Sequence, residues 1–466
     1  MGDFFNLLRF RTGIHLIRAN KIQQAIDYFA DKLFENPSSA FLHLELARAQ
    51  YKLNNITKVK EHLLQTIELD SSKQTLKNIL QLTNWRMIAS PAYYNHSPVF
   101  SPCGNYLVYT SARQNTSGGR HLSLADRPGV YRYDLTADKE ECLVDAQWYN
   151  SSPCFSPDGS KILFLSARKA ADPFKGITSQ DNRALYLLDL RSGGEEKLID
   201  EENKLKHASF SPDGLRIIFY NNPPGSPTGH IYLLDLAAKE TASLTPDEYE
   251  STFPSISPDG TRYVFASWRR DTNKDGQITM RDNSGIYCRE FASLHEVTVA
   301  EDRFDNSFPS FSPNGRYVLY LSRRRDTNRD GIINSQDNSG VYQADLKRLK
   351  EKVLVTDDHY NKYPVYAPDG RSIIFMSNWR RKKDPAFPHK DYFEQKGIYA
   401  MDLTSWKISQ IVNDKYYSSH APAVSPDSNA IAYSSWRAGM SRGIYLARIK
   451  DLPSKDEVET CIKNNL

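Results

Sequence analysis

The hydrophobic pattern changes period once along the chain. In the opening segment apolar residues recur at helical spacing, and residues 6 to 73 match themselves at an offset of 34. Gly13 falls on Ala47, Ala25 on Val59, Phe29 on Leu63 and Leu33 on Ile67. Small residues thus recur where helices must approach closely, and large ones where they pack, which predicts two helix-turn-helix pairs. Residues 73 to about 82 extend the pattern as a capping helix. From residue 95 the alternation switches to period two. Apolar runs such as YLVYTS, KILFLS, RIIFYN and RYVFAS start just after Pro-Asp-Gly-type turns, and a second set (VYRYDL, LYLLDL, IYLLDL, VYQADL) follows them. Proline fixes φ at a turn and glycine supplies positive φ, so each copy reads as a hairpin with one more strand on either side.

The turn prolines are Pro102, Pro157, Pro212, Pro258, Pro313, Pro368 and Pro426, spaced 55, 55, 46, 55, 55 and 58 residues apart. A four-stranded unit repeated seven times cannot cover its faces alone, and radial packing against neighbours solves this. The expected fold is mainly β: a seven-bladed β-propeller of four-stranded blades, preceded by a small all-α helical domain. The expected boundaries are 1–82 for the helices, 83–452 for the propeller and 453–466 for a tail. The seventh copy lacks an outer strand, and the segment from Leu82 to Ser90 is available to close the ring.

The phrase FSPDG, a strand, S-x-R and then IY-x-x-DL resembles the TolB-type, WD-repeat-like propeller family over residues 95 to about 450. The 34-residue period resembles tetratricopeptide (TPR) repeats. The propeller resemblance implies fold rather than activity, since such propellers serve as bacterial periplasmic binding proteins, as halves of peptidases and as lyases.

The sharpest chemical signal is RRDTNKDGQITMRDNSG in copy four and RRDTNRDGIINSQDNSG in copy five. Read as 12-residue loops they offer Asp271, Asn273, Asp275, Gln277 and Asp282, then Asp326, Asn328, Asp330, Ile332 and Asp337. Side-chain oxygens fall at positions 1, 3, 5 and 12, the carbonyl of Gln277 or Ile332 at 7, and glycine at 6 for the sharp turn. Ca²⁺ takes six to eight hard oxygens, and this spacing wraps them round one ion. The loops resemble EF-hand and dockerin loops without flanking helices, and two calcium sites are expected.

Two further constellations are positional. Eleven residues after the motif prolines stand Arg113, Arg168, Arg269, Arg324 and Arg437, a rim enlarged by Trp268, Arg270 and Arg325. Such a surface fits an acidic peptide, and equally fits pairing with carboxylates that tie neighbouring blades together. At the starts of the innermost strands stand His96, His207 and His420, beside Asn95, Asn150, Asn306 and Asn361. Three converging imidazoles would suit a metal-dependent lyase-like or hydrolase-like site; spread round the rim, they line a hydrated channel.

Composition narrows the classes. The 466 residues carry 60 Lys and Arg against 56 Asp and Glu, which excludes a dedicated nucleic-acid binder. Five cysteines without CxxC spacing indicate neither a disulfide framework nor a zinc site. No apolar run is long enough to span a membrane, and Arg9, Arg11, His15 and Arg18 interrupt the N-terminus before a signal-peptide core forms. The expectation is a cytoplasmic protein, with the periplasm as the alternative if a leader is missing. The expected function is a non-enzymatic protein-binding scaffold. The basic face of its helices, with His43, Arg48 and Lys58, suits an acidic peptide partner.

Overall fold

The structure, a computed structural model, describes residues 10–18, 21–52, 55–72, 85–90, 92–118, 122–123, 125–169, 177, 181–200, 204–334, 336–378, 397–412, 419–435 and 442–449. The expected capping helix over 73–82 and the tail over 453–466 lie outside the described residues. The chain forms two compact units, residues 1–87 with 446–466, and residues 88–445.

The first unit contains α1 (Arg11–Arg18), α2 (Ile22–Glu35), α3 (Ala40–Lys52) and α4 (Ile56–Leu69). Phe10, Ala25, Phe29, Leu42, Leu46 and Ala49 form its core. A Cβ added to Gly13 would stand 2.5 Å from the Phe29 ring, so α1 and α2 can meet only over a glycine. His43 is not on the basic surface expected of it. It is buried, with Nδ1 3.1 Å from Nδ1 of His62 and Nε2 3.2 Å from the Pro37 carbonyl. Arg48 is paired with Glu45, and Lys58 with Glu61.

The strands form seven four-stranded sheets, the blades expected from the repeats. Blade one runs β2 (Tyr94–Phe100), β3 (Tyr106–Ala112), β4 (Gly129–Asp134) and β5 (Lys139–Val144), and the next five repeat that order. Blade seven combines β26 (Ser419–Val424), β27 (Ala430–Ser435) and β28 (Gly443–Arg448) with β1 (Trp85–Ala89) from the start of the chain. The strand that completes the last sheet thus comes from the segment 82–90.

The core lies between blades. Val108 and Val130 of blade one pack with Ile162, Phe164 and Ala184 of blade two. Leu319 and Leu321 of blade five likewise meet Ile373 and Phe375 of blade six. Because the second strand of each blade is covered on both faces, it reads as a continuous apolar run.

Two polar devices fix this stack. In the turn motif, Ser156 Oγ donates to Asp158 (2.5 Å) and accepts from the Lys161 N–H (2.9 Å), while Asp158 accepts from the Ser160 N–H. These donors pull the Asp158 carboxyl down to about 2. Gly159 sits at φ +73°, and its missing Cβ would touch Pro102 of the preceding blade at 3.6 Å. Gly104 meets Pro426 in the same way, which carries the contact across the junction of blades seven and one.

The second device is an asparagine at the start of the inner strand. Asn306 is fully buried, and its Nδ2 donates to the carbonyls of Ser284 (2.8 Å) in blade four, Glu301 (2.9 Å) and Phe304 (2.8 Å). Asn361 does the same to Ser339, Thr356 and His359, and Asn95 to Ser90, Tyr93 and Arg442. These asparagines are staples between blades rather than channel lining. Blade four has Ser251 at this position, and Glu250 takes over, accepting from the Gly229 N–H (2.6 Å) and Tyr220 Oη (2.9 Å) of blade three. An Asn306→Ala variant strands buried carbonyls and should lose about 1–3 kcal/mol in urea denaturation. A loss below ~0.3 kcal/mol, the size of a neutral surface change, would show that the staple does not hold the blades.

Candidate functional site

Each inner strand carries a register irregularity near its start, as between His96 and Val99 or between Ser307 and Ser310. The extra residue takes left-handed φ: Ser97 (54°), Ser152 (52°), His207 (53°), Phe253 (54°), Phe308 (54°) and Tyr363 (52°). A bulge of this kind redirects the side chain that follows. In blades three to six the redirected side chains are rings, and they touch in sequence. The centroids of His207 and Phe253 are 4.7 Å apart, those of Phe253 and Phe308 4.2 Å, and those of Phe308 and Tyr363 6.3 Å. The arc is half-buried at its three aromatic members and exposed at His207. Its sequence signal is the residue before the first proline in FPSISP, FPSFSP and YPVYAP.

The other side of this mouth differs. Blades one and two place Ser97 and Ser152 at the bulge, and His96 one residue earlier. His96 Nδ1 lies 3.1 Å from both Ser97 Oγ and Thr110 Oγ1. Burial pushes its imidazole down to about 4, helped by the nearby charges of Arg442 and Arg183, so it is neutral at pH 7. Arg442 stands over the Tyr94 ring (5.1 Å) and Arg183 over the Tyr149 ring (5.3 Å). His96 and His207 occupy different repeat positions and have separate partners; the side chain of His420 lies outside the described residues. Among the described residues no three His, Cys, Asp or Glu side chains group to hold a metal ion.

The arginine rim is engaged within its own blades. Arg269 makes a bidentate pair with Glu296 (2.6 and 3.0 Å), and Arg324 one with Glu351 (2.7 and 2.7 Å). Arg113 pairs with Glu140 (2.7 Å) and Arg168 with Glu195 (2.5 Å). Each guanidinium also covers a tyrosine of the third strand: Tyr131 at 3.6 Å, Tyr186 at 3.8 Å, Tyr287 at 3.5 Å and Tyr342 at 3.8 Å. The serine of S-x-R accepts from each arginine Nε, as Ser322 does from Arg324 at 3.1 Å. The carboxylates thus belong to the outer strand of the same blade, not to a neighbour. Arg437 lies outside the described residues. Trp268 is buried, its indole N–H donating to the Asp282 carbonyl (2.9 Å), and adds nothing to a surface.

The two acidic loops superpose in their hydrogen bonding. Asp271 accepts from the Asp275 and Gly276 N–H groups, and Asp326 from those of Asp330 and Gly331. Asn273 and Asn328 each accept from the backbone two residues on. The carboxylates at position 12 have a different task. Asp282 is buried and accepts from the N–H groups of Thr272 (2.7 Å), Asn273 (3.0 Å) and Thr279 (2.9 Å); Asp337 does the same in blade five. Burial alone would raise the Asp282 carboxyl, but these donors outweigh it and leave it low. Blade one closes its loop alike with Asp126, which accepts from Thr116, Ser117 and Ser123 without any acidic triplet. That loop-closing aspartate is a residue that spacing alone did not reveal.

Residues 123–338 match the family model for a TolB beta propeller domain, so over those blades the chain is similar to that family. Over 185 residues the chain is 27% identical to a Tol-Pal system protein TolB from Francisella tularensis subsp. mediasiatica, a match covering 32% of this chain and 40% of that relative. The chain therefore spans well under half the length of the curated relative it matches. Among solved structures it is similar to the oligogalacturonate lyase of Vibrio parahaemolyticus (TM-score 0.55, 13% identity, 79% of this chain and 94% of that one). It is also similar to the β-propeller domain of the Trilobed protease from Pyrococcus furiosus (TM-score 0.53, 14% identity, 78% and 97%). At these identities the likeness is one of fold.

The Arg324 pair gives the rim a pH signature. Arg324 holds Glu351 below its ordinary value of 4.5, against the opposing effect of burial, with Tyr320 Oη adding a second donor. A carboxyl depressed in the folded state stabilises above the unfolded value, and that stability fades as pH falls through the folded value. Glu351→Gln should therefore be less stable than wild type at pH 7, and the gap should shrink by pH 3. Urea midpoints differing equally at both pH values would refute this.

Proposed function

We propose that the chain is a non-enzymatic protein-binding scaffold, with the helical pairs as a TPR-like docking segment and the propeller as a second surface. The observation that carries this reading is the aromatic arc at one channel mouth, since ring-rich, partly buried surfaces are the usual anchors of protein interfaces. Similarity to Tol-Pal system proteins is consistent with it, and with action in the periplasm rather than the expected cytoplasm. Among the described residues no helix is long and apolar enough to cross a membrane.

The competing reading, a lyase-like or hydrolase-like propeller enzyme, is favoured only by the fold shared with oligogalacturonate lyase. One experiment separates the two. A photo-crosslinker at Phe308 in the full chain should give discrete protein adducts in fractionated cells, enriched in the periplasm. Purified chain should produce no unsaturated product from oligogalacturonate with Mn²⁺. Turnover without adducts would reverse the assignment.

Calcium is the second part of the proposal. Asp271, Asn273, Asp275 and the Gln277 carbonyl, with Asp326, Asn328, Asp330 and the Ile332 carbonyl, would each hold one Ca²⁺, while Asp282 and Asp337 keep the loops closed. A ligand bound only by the native state stabilises it by mass action. Millimolar Ca²⁺ should therefore raise Tm by a few degrees, roughly what 1–2 kcal/mol gives in a protein of this size. Asp275→Ala with Asp330→Ala should abolish the rise. An unchanged Tm with and without chelator would remove calcium from the reading.

A further inference from the structure

In the first six blades the hairpin turn after the third strand holds one residue at left-handed φ: Asp138 (55°), Gly193 (70°), Lys239 (56°), Leu294 (55°), Leu349 (50°) and Trp406 (59°). In blade three this residue reaches the neighbouring blade. Lys239 pairs with Glu196 on the outer strand of blade two (2.5 Å), and the two charges cancel. Between blades five and six the residue types are exchanged. Lys352 stands opposite Gln343 at the register position where Glu196 stands opposite Leu187, and Trp406 stands where Lys239 does. The Lys352 ammonium lies 3.0 Å from the centre of the Trp406 ring. The contact between blades survives as a cation–π pair, but its positive charge is no longer cancelled.

This contact borders a cavity of about 640 Å³ between the two blades. Arg348 and Lys350 of blade five and Arg371 of blade six line it beside Lys352, and Gln343 Nε2 donates to Tyr366 Oη (2.7 Å) in its wall. Among the described residues no ion pair joins these four cations to a carboxylate. The carboxylates nearby are engaged elsewhere: Asp345 with Arg316 (2.8 Å), Glu351 with Arg324 (2.7 Å), and Asp369 with the Arg371 backbone N–H (2.9 Å) inside its own turn. The cleft therefore gathers positive charge that the fold does not use. Trp406, 43% exposed, adds apolar surface beside that charge, at a backbone angle where glycine would cost least.

We propose that the cleft between blades five and six docks a short acidic peptide segment: side-chain carboxylates meet Arg348, Lys350, Lys352 and Arg371, and an apolar neighbour packs on Trp406. Lys350 and Lys352 alternate on one face of the strand Lys350–Val355, about 6.6 Å apart along it, which is also the spacing of alternate side chains in an extended peptide. Charges spread in this way suit several carboxylates, whereas a single phosphate needs donors that converge on one point. The exposed indole suits an apolar side chain, as tryptophan does at the centres of protein interfaces. The cleft lies among the turns at the ends of the strands, and it does not depend on the ring arc that carries the scaffold reading.

The test immobilises the full chain at pH 7 and offers three probes: a random heptapeptide pool, amidated so that only side chains carry carboxylates, a mixture of uronic-acid oligosaccharides, and inorganic phosphate. Retained peptides should be enriched in Asp or Glu at alternate positions beside an apolar residue, and raising the salt to about 0.5 M should release most of them. Lys350→Gln with Lys352→Gln should weaken retention about tenfold, as expected when two exposed charge pairs are lost. Trp406→Gly suits the left-handed turn, so it should melt close to wild type, yet it should also lose about tenfold in retention. Lys239→Gln, in the neutral pair between blades two and three, should leave retention unchanged. A chain that retains no peptide, retention of peptides without acidic residues, capture of the oligosaccharides instead of peptides, or displacement of the peptides by phosphate at constant ionic strength would each overturn the assignment. So would variants that melt like wild type and bind like wild type.

Discussion

Everything in the propeller depends on one constraint: a four-stranded sheet with apolar residues on both faces is stable only between two others. The second strands are buried end to end, so no blade has a solvent face to fall back on. Contact between blades therefore has to be specified as strictly as pairing within them. Apolar packing supplies most of the energy but little direction, because one β-branched face slides readily on another. The buried asparagines and the Pro-Asp-Gly turns supply direction. An amide that must reach three named carbonyls leaves one register between adjacent sheets.

The same division of labour explains the rim. The Arg-Glu-Tyr clusters lie within single blades, where they fasten the outer strand to the two before it. Outer strands are the most exposed, as Lys139, Glu141 and Cys142 are in β5. A guanidinium shared between a carboxylate, a serine and a tyrosine face compensates there. Blades are thus fixed to one another near the channel and within themselves toward the periphery.

Much of this was legible in the sequence, because a motif repeated seven times reports a fold that no single copy would. The inner-strand positions it misplaced share a cause. Counting by alternation from Asn306 puts the asparagine and Phe308 on the same face, but the bulge inserts a residue and breaks that alternation. Asn306 turns into the blade interface while Phe308 turns to the channel. His96 and His207 looked equivalent because both precede the motif proline by a similar distance, yet they stand one residue apart in the repeat. Asp282 and Asp337 matched the last position of a metal loop. The structure shows loop closure sufficient to explain them, as Asp126 does the same where no acidic triplet exists.

The pairing of β1 with β28 has a consequence for the order of events in synthesis. The outer strand of the last blade is among the first parts of the propeller to leave the ribosome, and its partner is among the last. Thermodynamically the delay is cheap, since closure entropy grows only with the logarithm of loop length. Kinetically it makes the ring a structure that six blades can prepare but none can finish, with both end sheets exposing unpaired edges in the interval. The nascent chain is most vulnerable to joining with a second copy at that stage, and the vulnerability ends only when residues 443–448 arrive.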